Sequence, residues 1–332
     1  MLYKILRISV LFSFSMLLVF SCNFKNEAEL TSIDGINAAL KKNPKDTAAL
    51  FARARYFIGQ NKPDSAILDL QQLVKIDSTK SQYYEAMGDV YLVTNRTRYT
   101  KQALEKAVKL DANNVSAHMK LAELYLYVEM RQEALNEINE ALRLDLKYPK
   151  AYFLKGMIYK EIGDTSLALS SFMTTIEQDA NNSSAYEQIG LLFADKGDKR
   201  AIDYYKNALR INPKNSLTRY NLGIFYQEQG AIESAMEVYK ELISIDPNYA
   251  DAYYNMGYII YTQNKSVEKA LEFFQKASIT NPGYAEAFYM RGLCQEELGK
   301  KDVAIVDYKE SVRLNPKFDL PKKALIRLGV SL

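Results

Sequence analysis

Between Thr47 and Phe318 one pattern recurs eight times at a spacing of 34 residues, with slips of one. Each copy has a small residue, a second small residue about twelve positions on, and a bulky apolar residue four beyond that. The first set is Ala54, Gly88, Ala122, Gly156, Gly190, Gly223, Gly257 and Gly292. The second is Ala66, Thr100, Ala134, Ala168, Ala201, Ala235, Ala270 and Ala304, and the third is Leu70, Leu104, Ile138, Phe172, Tyr205, Tyr239, Phe274 and Tyr308. A fixed period of this length confines the chain to stacked copies of one supersecondary unit, each burying its apolar face against the next.

Within each copy the spacings are helical. Three residues after the first small position stands Phe57, Tyr91, Tyr125, Tyr159, Phe193 or Tyr226, and i, i+3, i+4 recurrences place such residues on one helix face. Copies end in turn-forming runs such as Asn212-Pro213, Asp246-Pro247, Asn281-Pro282 and Asn315-Pro316, where proline stops a helix and Asn or Asp favours a turn. Each copy is therefore two antiparallel helices. They approach closely where the side chain is nearly absent, with a neighbouring ring filling the gap.

This pattern resembles the tetratricopeptide repeat, which has an aromatic at position 4, Leu at 7, Gly or Ala at 8, Tyr at 11, Ala at 20, an aromatic at 24, Ala at 27 and Pro at 32. Eight repeats fall at 47–80, 81–114, 115–148, 149–182, 183–215, 216–249, 250–284 and 285–318. Arg219 at position 4, Gln295 at position 11 and the missing Pro at position 32 of the first four repeats depart from it, which affects local packing only. The resemblance implies an all-α, right-handed α-solenoid. Ile36, Ala39 and Pro44 match positions 24, 27 and 32, so 30–46 is expected to hold an N-terminal capping helix; 319–332 is expected to cap the other end, with Leu320, Ala324, Leu325 and Leu328 on one apolar stripe.

Ahead of the array, Lys4 and Arg7 precede an uncharged apolar stretch from Ile8 to Phe20, which reads as a secretory signal over residues 1–21. It is shorter than the ~20 residues of a membrane-spanning helix. Val19-Phe20-Ser21-Cys22 resembles the lipobox of bacterial lipoproteins, which implies cleavage before Cys22 and lipidation of that cysteine, although Phe20 is bulkier than the motif prefers. Cleavage by an ordinary signal peptidase, giving a soluble periplasmic protein, is the other reading. Since each buried methylene adds about 0.8 kcal/mol, two or three acyl chains would hold the protein permanently. The tether 22–29 spans at most about 29 Å, keeping the first repeats near the bilayer. The expected location is the bacterial cell envelope, on the periplasmic face of the outer membrane. With Cys22 lipidated, Cys294 is the remaining cysteine of two, a small buried hydrophobe or a reactive thiol.

Charge narrows the partners. The 43 Lys and Arg against 40 Asp and Glu give +3, and loss of Lys4 and Arg7 with the signal leaves 41 against 40, or +1. Basic residues are spread beside acidic ones, with no block to neutralise a run of phosphates, so no nucleic-acid partner is expected. Searches for metal-ligand clusters, a nucleophile with a base, and phosphate-binding glycine loops find none, so neither a cofactor nor an enzymatic activity is expected. The single histidine, His118, occupies an aromatic packing position.

The family resemblance places positions 2, 5, 9 and 12 of each first helix on the concave side. Position 9 reads Arg55, Asp89, Glu123, Met157, Leu191, Ile224, Tyr258 and Leu293, charged and then apolar. With position 5 it gives a strip of Phe153, Met157, Leu191, Tyr220, Ile224, Tyr254, Tyr258, Tyr289 and Leu293, a surface suited to anchoring partner side chains, with Asn221 and Asn255 beside it to bond a peptide backbone. The competing reading is that these positions are apolar because they pack against the next helix. A two-carboxylate clamp like that of chaperone-binding relatives is not expected. The positions around Asn221 hold Glu187, Leu191 and Asp251, and those around Asn255 hold Tyr220, Ile224, Glu286 and Met290. The expected role is a membrane-anchored scaffold or adaptor binding other envelope proteins or extended peptides in envelope assembly, secretion or protease recruitment. The alternative is a chaperone-like binder of extended clients. Self-association through exposed aromatics stays open.

Overall fold

One hydrogen bond ends most of the repeats. Oδ1 of Asp77, Asp111, Asp145, Asp179, Asp246, Asn281 and Asn315 accepts from the backbone N–H two residues on at 2.9–3.1 Å. This Asx turn offers the backbone a partner outside the helix and reverses the chain. The computed structural model describes residues 32–264 and 266–331; the expected signal at 1–21, the whole tether 22–29 with Cys22, and the first two residues of the expected cap lie outside them. The described residues contain eighteen α-helices and no strand, in two compact units divided between Val128 and Glu129.

The first unit holds α1 (Ile33–Lys42), α2 (Thr47–Gly59) with α3 (Pro63–Ile76), α4 (Ser81–Val93) with α5 (Thr97–Leu110), and α6 (Val115–Tyr127). Ser32 caps α1, its Oγ accepting from the Gly35 N–H at 3.1 Å, and α1 buries Ile36 and Leu40 as a lone second helix. The first helices α2 and α4 touch each other across their intervening second helix.

The second unit holds α7 (Arg131–Leu144); α8 (Pro149–Glu161) with α9 (Thr165–Gln178); α10 (Ser183–Ala194) with α11 (Arg200–Ile211); α12 (Ser216–Glu228) with α13 (Ile232–Ile245); α14 (Ala250–Ile259) with α15 (Val267–Thr280); α16 (Ala285–Glu297) with α17 (Lys301–Leu314); and α18 (Asp319–Arg327). At the C-terminal cap Pro321, Ala324 and Leu325 are buried, but Leu320 is exposed, so Pro321 takes the inward place expected for Leu320. Arg327 Nη2 is 2.7 Å from Glu296 Oε2, which also accepts from the Tyr308 hydroxyl at 2.7 Å.

The expected exchange of ring for side chain governs the core of the second unit, while in the first Gly88 faces Leu104, whose Cδ2 would stand 2.7 Å from an added Cβ. A Cβ on Gly223 would stand 2.5 Å from Cε1 of Tyr239, and one on Gly156 would stand 2.6 Å from Cε1 of Phe172. Ala54 instead faces the smaller Leu70, both fully buried. Dense packing allows one or the other to be large.

Inside each repeat the chain turns through a left-handed residue: Asn61, Asn95 and Glu129, then Gly163, Gly197, Gly230 and Gly299. The seventh repeat differs. Its extra residue is absorbed in a π-helical turn, Ile260–Asn264, where the wider hydrogen-bonded ring takes up one residue without breaking the helix. Two of the departures from the repeat pattern, Arg219 and Gln295, leave polar atoms buried. Arg219 is buried with Nη1 donating to the Pro213 carbonyl at 2.7 Å, while its Nε has no hydrogen bond and faces Glu241 at 3.5 Å. Gln295 Oε1 is likewise buried without a partner. No helix among the described residues is long and apolar enough to cross a membrane.

Candidate functional site: an aromatic strip in the second unit

Three first helices of the second unit carry the same construction. Tyr220 of α12 lies with its ring centroid 6.3 Å from Tyr239 on one side and 5.2 Å from Tyr249 on the other. Tyr254 of α14 lies 5.6 Å from Phe274 and 5.0 Å from Tyr284, and Tyr289 of α16 lies 5.8 Å from Tyr308 and 5.2 Å from Phe318. Each position-5 tyrosine is thus held between a core ring and the ring that precedes the next first helix, at offset or tilted geometries that favour aromatic pairs.

Tyr258 completes the strip differently. It stacks on Tyr254 at 6.4 Å with 17° between the planes, yet is 41 % exposed. Tyr220, Tyr254, Tyr289, Ile224 and Leu293 are half-buried, as are Phe153, Met157 and Leu191 toward the start of the unit, where Phe153 lies 5.6 Å from Phe172. Asn221 is half-buried as well. Asn255 turns inward: at 9 % exposure, its Nδ2 donates to the Tyr220 and Tyr239 hydroxyls, each at 3.3 Å. That amide nitrogen is used in holding the strip, so Asn255 supports the surface instead of offering a peptide-backbone donor from it.

The residues that sequence reasoning missed are Tyr249, Tyr284 and Phe318, the last residues of their repeats. A signal for them exists elsewhere in the chain. In the second and fifth repeats position 5 is Glu and the last residue is Asn, and the two bond: Asn114 Nδ2 donates to Glu85 at 3.0 Å, and Asn215 Nδ2 to Glu187 at 3.1 Å. Where position 5 is Tyr, the last residue is aromatic.

Burial raises the phenol pKa of Tyr220, Tyr254 and Tyr289, carrying Tyr254 up to about 12, so these hydroxyls stay protonated at neutral pH. Burial is also the main cause for Tyr220, Tyr249 and Tyr284, and the nearby Asp251 charge adds to it; Glu286 does the same to Tyr254. Neither Asp251 nor Glu286 is in an ion pair with another described residue. The strip is therefore a set of ring faces and phenols bordered by two carboxylates lacking a cation.

The first unit has a different chemistry at the same repeat positions. Lys120 Nζ lies 2.8 Å from Glu85 Oε1 and 2.7 Å from Asp89 Oδ2, and Glu85 also accepts from Ser116 at 2.7 Å. Burial pushes Glu85 up, but the Lys120 charge and its hydrogen bonds outweigh that and hold it below its ordinary value. At Asp89 burial wins and raises the pKa. Lys120 is raised because its two carboxylates outweigh the cost of burying its charge.

The remaining reactive side chains are accounted for by packing. Cys294 is fully buried and its thiol is pushed up to about 12 by burial, which leaves it a small hydrophobe. His118 is buried with Nε2 3.2 Å from the Ala112 carbonyl. Among the described residues no group of three or more His, Cys, Asp or Glu side chains is placed to hold a metal ion.

Family models described as tetratricopeptide repeat match residues 35–81, 149–182, 183–215, 204–237 and 285–318, and one described as TPR repeat matches 226–264. Among solved structures, the chain is similar to the C-terminal part of a TPR repeat-containing protein from Cytophaga hutchinsonii. That match has a TM-score of 0.63 and 18 % identity over 74 % of this chain and 99 % of the other. It is also similar to a tetratricopeptide repeat protein from Parabacteroides merdae, with a TM-score of 0.53 and 18 % identity over 74 % of this chain and 97 % of the other. No curated protein matches the chain by sequence.

Proposed function

We propose that this array of tetratricopeptide repeats is a non-enzymatic adaptor of the bacterial cell envelope, anchored by lipid on Cys22, that takes a segment of a partner protein onto the aromatic strip of its last three repeats. The observation that carries the reading is the exposed ring of Tyr258 stacked on Tyr254, on a strip whose phenols feel the carboxylates of Asp251 and Glu286, neither of them in an ion pair with another described residue. A surface built only for packing would cover the one and neutralise the others. The same chemistry selects the partner: a lysine or arginine side chain gains both a ring face and a carboxylate there. The partner segment is accordingly extended and basic, and the protonated phenols supply donors for its backbone carbonyls.

Tyr220 and Tyr254 are wedged between rings, so replacing them would disturb the fold as well as the surface. Tyr258 and Asp251 separate the two. Photo-crosslinking in cells from a probe at Tyr258, followed by mass spectrometry, should give one dominant adduct, and Tyr258→Ala with Asp251→Asn should abolish capture while leaving the helical circular dichroism intact. Many unrelated adducts would favour the chaperone-like reading. Capture unaffected by either substitution would remove the strip from the function. Labelled palmitate incorporated into the wild type but not into Cys22→Ala is the result expected for the anchor.

A further inference from the structure

We infer that the edge of the first unit formed by its intra-repeat turns lies on the surface of a lipid bilayer. Consecutive helices joined by short connections run antiparallel. The lone second helix α1 packs on α2 and α2 on α3, so α1 starts at the edge where α2 ends and α3 begins. The chain ahead of Ser32, with Cys22 ten residues back, thus meets the described residues at that edge.

That edge is apolar where it should be polar. The last residues before the turn are Leu92-Val93-Thr94 in the second repeat and Leu126-Tyr127-Val128 in the third, against Lys160-Glu161-Ile162, Ala194-Asp195-Lys196 and Gln227-Glu228-Gln229 in the three that follow. Leu92 is 46 % exposed, Val93 and Tyr127 are 67 % exposed, and Tyr99 opens the next helix at 54 %. Aliphatic side chains with tyrosines beside them match the chemistry of a membrane interface, where an amphipathic ring sits at headgroup level.

The charges agree. Lys62, Arg96 and Arg98 are exposed at these turns and form no ion pair with another described residue. Three free cations next to an apolar patch are the surface attracted to anionic headgroups. Of the carboxylates at this edge, Asp34 and Asp64 stand in the first turns of α1 and α3, where they complement the helix dipoles, and Glu129 is exposed in the turn directly after Val128, which leaves the three cations against one exposed carboxylate outside the helices. A partner protein would be an alternative cover, but the point of chain entry favours the bilayer that the lipid on Cys22 would bring there.

This inference uses the lipid anchor to bring the edge to the membrane, and the test separates the two. The chain contains no tryptophan, so a single introduced indole reports without background. The full-length lipidated protein, reconstituted into phosphatidylethanolamine–phosphatidylglycerol vesicles with brominated acyl chains, is compared as Tyr99→Trp and as Ile76→Trp; Ile76 is exposed at the opposite edge of the same unit. Tyr99→Trp is expected to shift to the blue and lose most of its emission, Ile76→Trp to do neither, and Arg96→Glu with Arg98→Glu to restore the lost emission. Acyl labelling with an unquenched indole at position 99, or equal quenching at both edges, overturns the docking and leaves the anchor standing. Quenching at position 99 in a chain without acyl label upholds the docking and removes the anchor.

Discussion

Replacing one hydrogen on Gly223 by a methyl group would place it 2.5 Å from the Tyr239 ring. Neither neighbour can yield freely, since the Tyr239 hydroxyl donates to Gln227 Oε1 at 3.1 Å and accepts from Asn255. Gly223→Ala should therefore destabilise the protein by about 1–3 kcal/mol, the usual cost of overpacking, and Tyr239→Leu should recover part of that loss in a double-mutant cycle followed by urea unfolding. This exchange was legible in the sequence because it has a fixed spacing. The inward turn of Asn255 was not: periodicity gives the helix face of an amide, but not whether two phenols from different helices converge on it. The rings of Tyr249, Tyr284 and Phe318 were missed for a related reason. They sit in turns, outside the helical period, and only their pairing with position 5 marks them.

At the level of elements, the turns inside the repeats are not equally well made. Glu129 adopts φ of 61°, where an ordinary side chain crowds the backbone, while four later repeats place glycine at the equivalent point. Glu129→Gly is expected to raise stability by up to about 1 kcal/mol, measured as a shift of the urea midpoint at constant m. The ion cluster joining α4 and α6 gives a second prediction. Lys120→Met strands Glu85 and Asp89 together, and the loss should be about 1–3 kcal/mol at neutral pH, between the values for exposed and buried pairs. Without the cation both carboxylates rise above their unfolded pKa values, so the folded variant binds protons more tightly. Its deficit should shrink as the pH is lowered through the carboxylate range, and a deficit constant with pH would show that the cluster is not electrostatic. The repeat boundaries were readable because Asx and proline stop helices locally. The π-helical turn at Ile260–Asn264 was not, because an insertion of one residue reads only as a slip in the period.

For the whole molecule, the tyrosines set the alkaline limit of stability. Many of the 25 have pKa values raised by burial above the ordinary value of 10.0, among them Tyr239, Tyr254, Tyr284 and Tyr308. In the folded state these phenols hold their protons at a pH where the unfolded chain has released them. Stability should therefore be level up to about pH 10 and fall steeply above it, with the helical signal and the phenolate absorbance of the buried rings changing together. Complete phenolate formation, buried rings included, ahead of any loss of helix would contradict the burial of these rings.

The pairing of Ala54 with Leu70 and of the later glycines with rings also bears on how such a chain avoids folding wrongly. Copies of one unit can pair out of order while the chain is collapsing, and arrays are prone to such misassembly. A helix carrying Ala54 or Ala122 has no room for Phe172, Tyr205 or Tyr239, which lie against glycines in their own repeats. The alanine helices are thus mismatched as partners for these aromatic second helices. At those positions a single methyl group marks which second helices cannot be partners.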